Sequence, residues 1–319
     1  MRKAWPLVLV AGGAAVVLVG ALLVALGRDT VPFLRSEGCT ATADGRSVDL
    51  SIEQAEHAAT ITAIAVRRGL PARAASIAIA TAYQESKLEN IDYGDRDSLG
   101  LFQQRPSQGW GSEAEVQDPV YATNAFYDAL EKIDGYRDME ITEAAQAVQR
   151  SGFPDAYADH EDDARVLASA LTGNSRAAFV CHVNGDVPAA DDALTDTGLT
   201  ARAEKLREDV VERFGDVPLG GFAPGGVQDG HMEGSAHYDG RAIDVFFRPI
   251  NDANKTEGWA VASYLVAHAK RLQIRTVIFD ARIWVAGRDD SWRDYDPPSR
   301  SGDRAILEHR DHVHVDVFD

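Results

Sequence analysis

Two short segments in the last third of this 319-residue chain concentrate side chains that bind metals. One reads Ser235-Ala236-His237-Tyr238-Asp239-Gly240-Arg241-Ala242-Ile243-Asp244, the other Asp311-His312-Val313-His314-Val315-Asp316. Two neutral imidazoles and one carboxylate drawn from them make a three-ligand site with a position left for water. That is the composition of a catalytic zinc, so the chemistry to expect is metal-assisted hydrolysis. A third candidate is Glu85, placed after the apolar run Ile77, Ile79, Ala80, Ala82 and Tyr83. At the C-terminal end of a helix, both the dipole and apolar neighbours disfavour its charged form, which suits a general acid. Helix position alone would also fit a solvated end residue.

The elements that must position these groups follow from periodicity. His312, His314 and Asp316 alternate with Val313, Val315 and Val317, so a strand there turns the valines to a core and the histidines to a cleft. Ile243-Asp244-Val245-Phe246-Phe247 alternates likewise and leaves Asp244 on the opposite face from Ile243, Val245 and Phe247. A continuous strand would put His237 and Asp244 on opposite sides, but the turn signal Asp239-Gly240 between them lets the two converge. Singly, His237 also suits a surface turn, and two histidines on one strand face suit ordinary pairing. Helices over about 201–214 and 257–272 and strands over 274–279 and 282–285 complete an α+β domain with an antiparallel sheet. His57, His160, His182 and His268 read as structural; His231 and His309 lie near the motifs.

Residues 51–173 read as helices with explicit stops. Ser51 and Gln54 form a capping box, Gly69-Leu70-Pro71 ends the first helix, and a second runs from Pro71 to about Ser86. Pro119 behind Asp118, Thr142 before Glu143, and the stretch from Pro154 to Gly173 frame three more. Leu88 to Gln117, with its glycines and Pro106, reads as turns. Within it Asp92, Asp95 and Asp97 offer either a second carboxylate for sugar chemistry or turn residues that accept hydrogen bonds from their own backbone. Residues 184–199, rich in Asp, Ala, Gly, Pro and Thr, show no apolar period and read as a linker.

The formal net charge of −18 argues against a nucleic-acid partner, since no basic cluster is present. Ala4 to Gly27 carries no charged residue and, as a helix of about 36 Å, matches a bilayer core of about 30 Å. With Arg2 and Lys3 ahead of it, the expectation is an uncleaved single-pass anchor, N-terminus cytoplasmic and the remainder extracellular. Cys39 and Cys181 are the only cysteines. They fit one disulfide in an oxidising compartment and equally two inert thiols.

The string Ala82-Tyr83-Gln84-Glu85-Ser86, followed by Asp97-Ser98-Leu99-Gly100-Leu101-Phe102-Gln103-Gln104 and by Ala147 to Phe153, resembles the lysozyme-like lytic transglycosylase family over roughly 48–182. The resemblance implies a mostly α lysozyme-like domain in which Glu85 protonates the glycosidic oxygen and Gln103 lines the cleft. It also implies an anhydro product where no second carboxylate reaches. The family's usual Ala-Tyr-Asn-Ala-Gly signature is absent as such. The stretch Ser235-x-His237-x-x-Gly240-x-Ala242-x-Asp244 is similar to the metal motif of zinc D-alanyl-D-alanine carboxypeptidases and L-alanyl-D-glutamate endopeptidases. That likeness implies Zn2+ held by His237, Asp244 and His314, with Asp311 as general base, His312 assisting, Ser235 near the substrate, and Glu308 a competing base.

The expected organisation is therefore multidomain: an N-terminal transmembrane helix within 1–28, a lysozyme-like domain over 29–183, a linker at 184–199 and a zinc-peptidase-like domain over 200–319. The expected function is that of a membrane-anchored extracellular peptidoglycan hydrolase that cleaves glycan strands and stem peptides. The alternative is a cell-wall-binding protein that uses the same clefts to hold murein without cutting it.

Overall fold

The computed structural model describes residues 36–153, 155–297 and 302–319. It begins with a hairpin, β1 (Gly38–Ala43) and β2 (Arg46–Leu50), whose turn residues Asp44 and Gly45 both take positive φ, as a tight two-residue hairpin requires. Ser51 and Gln54 then cap α1 (Ile52–Arg67) reciprocally, and Lys87 in the left-handed region ends α2 (Ala72–Ser86). After the turns of the insert come α3 (Glu113–Val116), α4 (Pro119–Leu130) capped by Asp118, α5 (Ile141–Gln149) and α6 (Glu161–Leu171). The chain then returns to the hairpin as β3 (Phe179–His182), giving a three-stranded sheet of order β2-β1-β3.

Beyond residue 184 follow α7 (Ala201–Phe214), β4 (Leu219–Gly220), β5 (Ala242–Phe246), α8 (Asp252–Ala267) and α9 (Ala269–Leu272). The last elements are β6 (Ile274–Phe279), β7 (Arg282–Val285), β8 (Arg293–Asp294), α10 (Arg304–Leu307) and β9 (His312–Val317). The strands form a six-stranded antiparallel sheet of order β4-β5-β9-β6-β7-β8. The valines of β9 are wholly buried against the helices, as their alternation predicts.

Two expectations are corrected. The transmembrane helix expected within 1–28 lies outside the described residues, and among the described residues no helix is long and apolar enough to cross a membrane. A single-pass anchor, and the membrane localisation drawn from it, are therefore set aside. The multidomain reading is corrected as well, because Gly38–Asp319 forms one compact unit and residues 184–199 do not separate two bodies. The reason is that α8 packs on α1, and the edge of the second sheet reaches back to the first. The indole of Trp284 donates to the Cys181 carbonyl at 2.9 Å, that of Trp292 to the Phe179 carbonyl at 2.8 Å, and the Gly287 amide to the Val183 carbonyl at 2.8 Å. A lone lysozyme-like domain would expose that edge.

A polar network runs through the same seam. Asp209 on α7 accepts from Tyr264 at 2.6 Å and from Arg271 at 2.7 Å. The buried His268 ring donates from Nδ1 to the Tyr264 carbonyl at 2.9 Å and accepts at Nε2 from Thr60 of α1 at 3.3 Å. Cys39 and Cys181, opposite each other on β1 and β3, form a disulfide that closes a separation of 142 residues.

Loss of that bridge in Cys39→Ser/Cys181→Ser is expected to cost about 3–5 kcal/mol, read from urea midpoints. Burial holds the His268 imidazole down at about 3 against an ordinary value of 6.5. A depressed folded value means that stability is complete above about pH 6.5 and falls as the pH drops toward 3, by up to about 1.4 kcal/mol per pH unit. Denaturation across this range is expected to show a shallower acid slope in His268→Gln.

Candidate functional site

The register of two neighbouring strands builds the site. Asp244 of β5 stands directly opposite His314 of β9, Phe246 opposite His312, and Ala242 opposite Asp316. Directly opposed residues share a face, so Asp244, His312, His314 and Asp316 all project to the same side. His314 Nδ1 lies 3.2 Å from Asp244 Oδ1, and its Nε2 lies 3.4 Å from Asp316 Oδ2.

His237 arrives from a loop. Gly240, at φ +65°, turns the chain after it; a Cβ at Gly240 would come within 2.7 Å of the Gly198 carbonyl oxygen, so no larger residue fits the turn. The His237 ring lies against Gly221, whose carbonyl accepts from Nδ1 at 2.7 Å; a Cβ at Gly221 would sit 2.3 Å from the ring. A carbonyl only accepts, so Nδ1 carries the proton and Nε2 presents its lone pair. That nitrogen lies 3.0 Å from His314 Nδ1 and 3.3 Å from Asp244 Oδ1.

Three acceptor atoms thus converge in a buried place, with both outer ring nitrogens facing oxygen. The two carboxylates beside His314 favour positive charge in this cluster, whether a proton or a cation. Burial alone would discharge His314, yet its contacts with Asp244 and Asp316 hold its imidazole up at about 9. Burial likewise opposes a charge on Asp244, but its bonds to His237 and His314 keep that carboxyl well below the ordinary range.

These side chains sit in a cavity of about 490 Å³ lined by His231, His237, His309, His312 and His314. His231 and His309 were not singled out by motif. The His231 ring stacks on His237 at 3.9 Å, and its backbone amide and carbonyl are both bonded to the Tyr238 hydroxyl. His231, His237 and Asp244 together offer donor atoms within 4.8 Å of one another, a group that could hold a metal ion. His309 packs between Tyr295 and His312. Burial keeps both neutral, His231 at about 4 and His309 at about 3.

Residues 195–305 match the family model described as VldE, C-terminal domain. The match takes in His237 and Asp244 and stops before β9, so His312 and His314 lie beyond it. No curated protein matches the chain.

Asp311 and His312 act as a pair. Asp311 Oδ1 accepts from His312 Nδ1 at 2.7 Å, while Oδ2 accepts from Arg248 at 2.7 Å. His312 Nε2 is left facing the cluster, 3.9 Å from Asp244 Oδ1. Both carboxylate oxygens of Asp311 are thus engaged, and the imidazole is the basic atom turned to the site. Glu308 is tied to Arg304 and Arg310, away from that role. Ser235 lines the same cavity.

Glu85 occupies the last turn of α2, where burial raises its carboxyl above the ordinary range. Its Oε1 accepts from the Tyr157 hydroxyl at 2.7 Å and from Gln149 at 3.2 Å. Gln149 also donates to the Phe102 carbonyl at 2.8 Å, tying the insert to the glutamate. Gln103 does something else: its amide donates to the Tyr93 and Gly100 carbonyls, bracing the insert from within. Of the aspartates, Asp97 is bound to Arg105 and to the Ser107 amide, and Asp92 and Asp95 are exposed. Tyr157 follows no helical period and was not recognisable as a partner beforehand.

Competition with a chromogenic chelator is expected to show loss of tight divalent-ion binding in His237→Ala. The same measurement on Asp316→Ala, which leaves the three convergent atoms in place, is expected to show about 10–100-fold weaker binding.

Proposed function

We propose that the cavity is the centre of a zinc-dependent peptidase acting on peptidoglycan stem peptides. One observation carries the reading. A tetrahedral ion bonded at about 2.0–2.1 Å keeps its donors about 3.3 Å apart. His237 Nε2, Asp244 Oδ1 and His314 Nδ1 form a triangle with sides of 3.0, 3.2 and 3.3 Å. Two imidazoles on one such ion also keep their ring centres about 5 Å apart. His237 and His314 stand at 4.9 Å, whereas His231 and His237 stand at 3.9 Å. His314 is accordingly the second imidazole ligand and His231 a flanking ring. Two imidazoles and a carboxylate suit zinc.

Bound there, the ion supplies Lewis-acid chemistry, polarising a carbonyl and acidifying water. The chain's own residues supply the proton handling. Asp311 holds His312 Nδ1–H, so Nε2 takes a proton from the attacking water and passes it to the leaving amine. Arg248 fixes Asp311 and stacks over Phe246 at 4.2 Å. The choice of stem peptides rests on the likeness of the Ser235 to Asp244 motif to the D-alanyl-D-alanine carboxypeptidases.

A second activity, cleavage of the glycan strand, is assigned to Glu85 on a separate observation: a carboxyl that burial pushes above the ordinary range and that Tyr157 and Gln149 aim. With Asp97 tied to Arg105 and Ser107, closure by the substrate's own hydroxyl to an anhydro product is the favoured course.

Mass spectrometry of fragments released from purified peptidoglycan separates the two activities. Glu85→Gln is expected to remove anhydro-sugar products and His237→Ala the trimmed stem peptides, each sparing the other class. Retention of both classes in both variants would refute the assignments, and murein binding without any release would make the protein a wall-binding module.

A further inference from the structure

Among the described residues three guanidinium groups line the cavity, and one of them is without a side-chain partner there. Arg241 is paired with Asp239 at 2.7 Å and Arg248 with Asp311 at 2.7 Å. Arg275 makes no side-chain hydrogen bond or ion pair among the described residues, in a chain of net charge −18 where acidic groups are plentiful.

The backbone aims it there. Where β6 runs beside β9, Ile274 faces Val317 and Thr276 faces Asp316, so β6 carries one extra residue, and that residue is Arg275. In an unbroken strand, residues 275 and 276 would point to opposite faces. The bulge turns both into the cavity wall. The Arg275 carbonyl still accepts from the Ala286 amide at 2.8 Å, so the bulge is anchored to the next strand.

We propose that Arg275 is the specificity residue that captures the terminal carboxylate of the peptide substrate. A guanidinium presents a planar fork that takes both oxygens of a carboxylate, and Arg275 stands exposed at the cavity wall, open to such a group. The same cavity suits what precedes that carboxylate: Phe246, Ile306 and Leu307 in its lining give small apolar side chains a surface. Arg241 and Arg248, already neutralised, cannot serve without breaking their own pairs. This inference rests on the peptidase reading and adds to it where the chain end of the substrate is held.

The test is calorimetric binding of diacetyl-L-lysyl-D-alanyl-D-alanine and of its C-terminal amide, on chelator-treated protein so that no turnover competes. Wild type is expected to bind the acid at least about tenfold more tightly than the amide. Arg275→Met is expected to abolish that preference with amide binding unchanged, and Arg275→Lys to keep part of it. An acid preference that survives in Arg275→Met, or that wild type never shows, overturns the role of Arg275 and leaves the peptidase reading standing. Absence of binding by either peptide overturns both.

Discussion

Everything at the histidine-lined cavity depends on Asp244 and His314 facing each other across one rung of an antiparallel ladder. The period of a strand is two, so a slip by one residue would send the histidines of β9 into the core and its valines into the cleft. The buried valines make that slip costly, since Val313, Val315 and Val317 have no solvent exposure at all. Apolar packing on one face therefore fixes the coordinates of the polar groups on the other. The loop carrying His237 has only to deliver one nitrogen to a pair of atoms already in place, and the Gly221 carbonyl sets which nitrogen that is.

The second organising feature is the seam between the residues before and after 184. Its contacts are those of a protein interior: α1 against α8, the buried His268 ring bonded to Thr60 of α1, and two indoles donating to carbonyls of β3. Buried polar groups of this kind are stable only when each finds its partner, and here the partners come from both sides of the seam. The disulfide lies at the centre of this arrangement. The Cys181 carbonyl is the acceptor for Trp284, so the residue that locks β3 to β1 also receives a side chain from the other sheet.

Much of this was readable from residues alone, for identifiable reasons. The capping box at Ser51, the proline after Asp118 and the alternation in β9 are local signals, and the elements they announce are present. The Asp44-Gly45 hairpin carries an equally local signal that was passed over. The three-stranded sheet was missed because β3 is short and pairs with a strand far earlier in the chain. A composition shift at 184–199 suggested two bodies; the seam is made by packing, to which composition is blind. At the site, the ligand motif pointed to His237, Asp244 and His314, but the division of labour between Asp311 and His312 needed side-chain geometry. So did the tie of Gln103 to the insert, Tyr157 beside Glu85, and the bulge at Arg275.

The strand that brings His312 and His314 is the latest in chain order, yet it lies in the interior of its sheet, between β5 and β6. During synthesis the earlier strands emerge with a gap where β9 belongs, so neither the sheet nor the histidine-lined cavity can close until that strand is made. A chain that stops short of β9 lacks two of the site's imidazoles and leaves the facing edges of β5 and β6 unpaired. The cavity and the core of this sheet are therefore completed by the same strand.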